Sequence, residues 1–169
     1  ADEDELWSDL SQAIREACTQ FVATRTTEGE HLKQDLVEKL HHMRDNVDKV
    51  EQRAPQIIAE YRSKLMEKVN ELLGDTQIDE ARLSTEIVLF ADKICTDEET
   101  VRLKSHITSM LNALERSEGI GRKLDFIAQE MNREANTILS KSNDLETSDI
   151  AIELKTEIEK VREQIQNIE

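Results

Sequence analysis

An all-α protein follows from three features of the chain. Apolar residues recur at three- and four-residue steps through successive segments, the spacing of helix faces. No stretch alternates with period two, and no hairpin dipeptide or internal repeat occurs. Charged residues make up 35% of the 169 positions and aromatics only 3%, with one proline and four glycines, a profile of long helices rather than sheet. The expected architecture is a long, kinked, coiled-coil-like helical arm over 1–75, followed by a small helical bundle over 76–169.

The first helix starts near Asp4, where Asp2–Glu5 place negative charge at the positive end of the helix dipole. Leu6, Leu10, Ala13, Ile14, Ala17 and Phe21 mark its apolar face, with Trp7 beside them, suited to packing at a helix junction. ATRTTEG at 23–29 is poor in helix formers and predicts a bend. From Leu32 the pattern resumes and runs to Leu72 in a seam that passes Pro55 without losing phase. This predicts a long helix, kinked or broken near Pro55 and ended by Gly74. Such a stripe cannot bury itself and calls for a partner.

In the next helix Ile78, Leu83, Ile87, Phe90 and Ile94 face inward. Thr96 and Glu99 then have capping-box spacing ahead of an apolar face of Leu103, Ile107, Met110, Leu111 and Leu114. Gly119 and Gly121 precede a helix whose apolar residues are Leu124, Ile127, Ala128, Met131, Ala135 and Ile138. Ser142-Asn143-Asp144 ends it, and Thr147 or Ser148 caps the last helix. Ala151, Leu154, Ile158, Val161, Ile165 and Ile168 form a seam there, suited to packing within the bundle or to self-association.

Thirty-seven acidic against 22 basic residues leave a net charge of −15, which repels a nucleic-acid backbone unless basic groups gather locally. Residues 119–143 are the one segment that is not negative, with four bases and three acids. Cys18 and Cys95 are isolated, which suits a reduced, cytoplasmic protein. The first residues lack a signal-peptide pattern, and no apolar run is long enough to span a bilayer.

The segment 121–143 is unusual on its polar faces. Arg122, Gln129, Arg133 and Asn136 form a stripe of donors suited to phosphate oxygens. Lys123, Glu130 and Glu134 form another, its two carboxylates one turn apart on one face. A helix buried among polar neighbours shows the same pattern. On the preceding helix Glu99, Arg102 and His106 follow one polar flank, which also suits a structural histidine. His41 and His42 point about 100° apart and read as solvated, and His31 has Asp35 one turn later as a surface pair.

GRKLDFIAQEMNREANTILSKSND strongly resembles the C-terminal domain of the YicC/YloC family of bacterial endoribonucleases. RLKSH at 102–106, the terminal ELKTEIEKVREQIQNIE and, more weakly, RTTEGEHL at 25–32 extend the resemblance over nearly the whole chain. Family members carry a further N-terminal portion, so the chain reads as a fragment holding the end of that region and the C-terminal domain. The resemblance implies cleavage of RNA phosphodiester bonds with help from a divalent metal. It also brings His106 towards the central helix, provided the two helices pack antiparallel.

On that reading His106, Glu130 and Glu134 are the catalytic candidates. The same three, with Asp125 as a secondary choice, are the candidate ligands for Mn²⁺ or Mg²⁺, hard cations that take carboxylate oxygens. Arg102, Arg122, Lys123, Gln129, Arg133 and Lys141 are the candidate RNA contacts. The structural alternative has Glu130 and Glu134 in salt bridges to Arg133, Lys123 or Arg102, and Asp125 paired with Arg122 or Arg133. Phe126 is the only ring in the segment, so no aromatic platform for bases is evident. Two rival functions remain: a non-catalytic helical module for homo-oligomerisation, and RNA binding without cleavage.

Overall fold

The computed structural model describes residues 2–74, 77–116 and 119–168. Among them are five helices and no strand: α1 Glu3–Leu73, α2 Glu80–Ile94, α3 Asp97–Leu114, α4 Gly121–Lys141 and α5 Leu145–Ile165. The all-α expectation holds. The chain forms two compact units, residues 1–38 and 39–169, and α1 contributes to both. The domain boundary expected at 75/76 lies outside the described residues.

In the first unit α1 is uninterrupted through 23–29. Thr26 and Thr27 donate their hydroxyls to the carbonyls of Val22 and Ala23, one turn back, and so keep their side chains on the helix. Leu6, Trp7, Leu10, Ile14, Phe21 and Val22 are all more than half exposed. Trp7 therefore does not pack at a helix junction within this unit.

Helical structure also continues across Pro55, so α1 is not broken there. It ends where expected: Gly74 takes φ +56 and donates its N–H to Asn70 O at 3.0 Å. In the second unit Leu40, Met43, Val47 and Val50 of α1 are buried to within 1%. The first half of the Leu32–Leu72 stripe thus needs no partner from another chain, a correction to the sequence reading. Lys104 of α3 reaches Asp48 and Glu51 of α1 at 2.6 and 2.5 Å, and Arg44 donates to Thr108 of α3. Arg53 of α1 grips Asp144, just ahead of α5, with two guanidinium nitrogens at 2.8 and 3.1 Å.

The expected inward face of α2 is only half-buried, and no residue of that helix is fully enclosed. Its Phe90 stacks on Tyr61 of α1, ring centroids 3.7 Å apart and planes 10° from parallel. α4 packs against both α3 and α5. All six apolar residues predicted for its core face are buried, as are Leu103, Ile107, Met110 and Leu114 of α3. Ala151, Leu154, Ile158, Val161 and Ile165 close the core from α5.

Two caps differ from expectation. Thr96, at φ −116 and ψ 18 rather than extended, makes no side-chain cap bond, and Glu99, its supposed reciprocal partner, is drawn to Lys141 and Arg102. Asp144, not Thr147 or Ser148, caps α5, accepting from Thr147 N–H and hydroxyl at 3.0 Å. The turn into α4 needs its glycines. Gly119 takes φ +61, and a Cβ on Gly121 would stand 3.2 Å from the carbonyl oxygen of Ile168.

Candidate functional site

α3 and α4 are joined by a chain of charges. Lys141, in the last turn of α4, donates to Glu99 Oε1 at 2.9 Å and to the Cys95 carbonyl at 3.1 Å. Glu99 Oε1 also lies 3.6 Å from Arg102 Nη2, which is 3.3 Å from Glu98. Arg102 Nε in turn meets Glu134 Oε1 at 3.2 Å. The side chains of Glu99 and Glu134 are only 5% and 8% exposed, so their charges depend on these partners. Arg102 is half exposed, so solvent, or a ligand, can reach it, as it can Glu98 and in part Lys141. Glu99 Oε2 is buried without a hydrogen-bond partner.

The packed faces of α4 fix what its outer face presents. With Leu124, Ala128, Met131 and Ala135 inward, the exposed residues include Arg122, Phe126, Gln129 and Arg133, which follow one another at helical spacing. Phe126 is 64% exposed, between two arginines of the same stripe. The sequence reading took this ring only as the lone aromatic of the segment; its position, four residues after Arg122 and three before Gln129, puts it on the same stripe. Arg122 and Lys123 enter no ion pair among the described residues, and Arg133 has only a loose one, 3.6 Å to Glu130.

Asp125 pairs with neither Arg122 nor Arg133. Arg162 of α5 meets it at 3.2 Å, and Gln129 donates to its other oxygen at 2.8 Å. Of the structural alternatives for the two glutamates, Glu134 with Arg102 and Glu130 with Arg133 are the pairs observed. His106 is half-buried on α3.

Carboxylates from adjacent turns of α4 and an imidazole from α3 are the donor types that Mn²⁺ takes. Their chemistry fits the ion, but the side chains as placed do not converge on a common point. Among the described residues His106, Glu130, Glu134 and Asp125 do not bring three ligand atoms within 4.8 Å of one another. Glu134 is also occupied by Arg102. The group that does converge is His42, Glu153 and Glu157, where sequence reasoning had read His42 as solvated. No spacing in the sequence could link residues more than a hundred positions apart.

No helix among the described residues is long and apolar enough to cross a membrane. Cys18 and Cys95 are free and exposed. Residues 50–169 match the family model described as endoribonuclease YicC-like, C-terminal. The chain is 44% identical over 169 residues to a probable endoribonuclease YicC of Clostridioides difficile, and 37% identical over 168 residues to one of Haemophilus influenzae. Each alignment takes in 99% of this chain and 58% of the relative, so the chain spans a little over half the length of these proteins. By this match and these identities, the chain belongs to the YicC-like endoribonuclease family and carries its C-terminal region.

Proposed function

We propose that this chain is the RNA-engaging and RNA-cleaving part of an endoribonuclease. The observation that carries the reading is the outer stripe of α4, Arg122, Phe126, Gln129 and Arg133, on the helix that also bears the Arg102–Glu134 pair. Arginines at helical spacing suit successive phosphates, and an exposed ring between them suits an unstacked base. The relatives' names, probable endoribonuclease, agree with it.

The Arg102–Glu134 pair supplies a chemical rationale. A phosphate oxygen arriving at half-exposed Arg102 competes with the carboxylates that hold it, because guanidinium binds phosphate through paired, charge-assisted bonds. Glu134, released from its cation, then has an oxygen free to accept the proton of an attacking hydroxyl. His106 on the facing helix is the candidate for returning a proton to the leaving oxygen. A divalent cation, Mn²⁺ or Mg²⁺, is kept as the proposed activator, with Glu130, Glu134 and His106 as the donors to test. No step above depends on it.

Size-resolved digestion of an end-labelled RNA, with and without Mn²⁺ or Mg²⁺, tests the proposal. Internal cleavage that falls about 10²–10⁴-fold in Glu134→Gln, at unchanged helicity, supports it. Full cleavage by that variant refutes the role of Glu134. Binding without any cleavage, by this chain and by a full-length relative, favours an RNA-binding module instead.

A second reading has its own observation. The exposed Leu6, Trp7, Leu10, Ile14, Phe21 and Val22 of α1 form an apolar surface suited to a second copy of the chain, so homo-oligomerisation is proposed alongside cleavage. Light scattering that shows a monomer at micromolar concentration refutes it. A cytoplasmic setting, where exposed Cys18 and Cys95 stay reduced, is part of the same proposal.

A further inference from the structure

The one convergence of three ligand atoms among the described residues lies between α1 and α5. His42 Nδ1 stands 2.5 Å from Glu157 Oε1, and His42 Nε2 stands 3.9 Å from Glu153 Oε1. Glu153 and Glu157 are one turn apart on α5, so both reach the ring from the same side of that helix. Half of His42 and half of Glu153 are exposed, whereas the Glu157 side chain is 16% exposed. Glu157 Oε2 is buried with no hydrogen-bond partner.

We propose that His42, Glu153 and Glu157 bind a first-row divalent cation, in the range Mn²⁺ to Zn²⁺, and that the ion staples α1 to α5. One imidazole nitrogen with two carboxylate oxygens is a mixed donor set that such ions accept, whereas Mg²⁺ and Ca²⁺ favour oxygen alone. Ligands 2.0–2.2 Å from a tetrahedral ion stand about 3.4 Å from one another. One ligand atom from each of the three residues lies within 4.8 Å of the other two, so closing to that spacing takes only small rotations of the half-exposed His42 and Glu153 side chains. The open side leaves room for water in the remaining positions.

An imidazole–carboxylate pair without an ion accounts for less. It satisfies one oxygen of Glu157, leaves the other buried and unpartnered, and leaves Glu153 beyond hydrogen-bond distance. An ion shared by the three residues gives both carboxylates a partner. The site shares no residue with the α3–α4 charges, so neither cleavage nor RNA binding is needed to detect it.

The test is Mn²⁺ binding to the chelator-treated 169-residue chain, followed by electron paramagnetic resonance, with pulsed detection of nitrogen coupling from a bound imidazole. The wild type is expected to bind Mn²⁺ with that coupling. His42→Ala is expected to abolish the coupling and weaken binding at least tenfold. Glu153→Gln, at a half-exposed position that folding does not depend on, also weakens binding. His41→Ala, at an exposed histidine outside the cluster, keeps both affinity and coupling. Zn²⁺ raises the melting temperature of the wild type but not of His42→Ala. Bound Mn²⁺ without nitrogen coupling overturns the proposal, as does coupling that survives His42→Ala and disappears in His106→Ala. Wild-type affinity in Glu153→Gln removes that residue from the ligand set and overturns the three-residue site. Because no readout involves RNA, failure here leaves the proposed cleavage standing, and the reverse.

Discussion

Asp144→Asn isolates one charge that holds the first helix to the last. Two nitrogens of Arg53 grip the Asp144 carboxylate at 2.8 and 3.1 Å, and the side chain is 13% exposed. The guanidinium chiefly, then the N–H and hydroxyl of Thr147, hold its pKa down to about 2 from an ordinary 3.8, against a smaller opposing effect of burial. That gap corresponds to about 2 kcal/mol of stability at neutral pH. Because the folded value is the lower one, the contribution is complete above the unfolded value and is lost as pH falls towards about 2, with roughly half remaining at pH 3. Asparagine still caps α5, so the substitution removes the charge without removing the cap. Arg53 keeps Glu60 at 2.7 Å, which limits the damage to the helix it leaves behind. Urea unfolding followed by far-ultraviolet circular dichroism is the assay, since Trp7 lies exposed in the other unit and does not report on this one. The expected result is a midpoint lowered by about 2 kcal/mol equivalent at pH 7, at unchanged slope, and by about half as much at pH 3. Equal losses at both pH values, or a loss below about 0.5 kcal/mol at pH 7, refute the reasoning.

Other substitutions probe α4 and the turn before it. Phe126→Ala should weaken binding of single-stranded RNA by about 1–3 kcal/mol. It should leave the urea midpoint unchanged, because the ring is 64% exposed. Arg133→Ala should lower affinity for every RNA sequence alike and reduce the salt slope of log K by about 0.7, read from filter binding at several salt concentrations. Gly119→Ala should cost about 1–2 kcal/mol in unfolding, because φ +61 strains any residue with a Cβ.

The apolar skeleton was legible because helical periodicity is local. The six core positions of α4 and the seam of α5 could be read from spacing alone, and each helix buried the face its pattern marked. Gly74 was legible for the same reason, since a glycine after the last periodic residue marks a helix end. Continuity through 23–29 and Pro55 was not, because local propensity argues for interruption and the extended helix overrides it. The polar partners were least legible. Thr96 and Glu99 have capping-box spacing, yet Lys141 from 42 residues away claims the carboxylate. Asp144 is held by an arginine 91 positions earlier, and His42 by a glutamate 115 positions later. Sequence spacing also showed that Glu130 and Glu134 share a face, but not that Arg102 would reach only the second.

For the proposed RNA engagement, a chain of net charge −15 meets a polyanion on terms set by where its charges are spent. Glu99, Asp125, Glu134 and Asp144 are each held by a base from another helix, so these four carboxylates are neutralised locally although the surplus of the whole chain is unchanged. Arg122, Lys123 and Arg133 are left on the outer side of α4, each without a close partner among the described residues. At physiological salt, charges more than about 8 Å away are largely screened, so a phosphate seated on α4 responds to those three rather than to the whole chain. Each neutralised phosphate of a single strand contributes about 0.7 to the salt slope of log K, so these three contacts and a fourth at Arg102 set a ceiling of about 3. The remaining acidic surface repels the strand, most strongly at low salt, and makes the measured slope shallower still. Filter binding of a short single-stranded RNA between about 50 and 200 mM salt reads the slope directly. A value clearly steeper than about 3 would show that bases beyond Arg102, Arg122, Lys123 and Arg133 also carry the strand, and the interface would then extend well past α4.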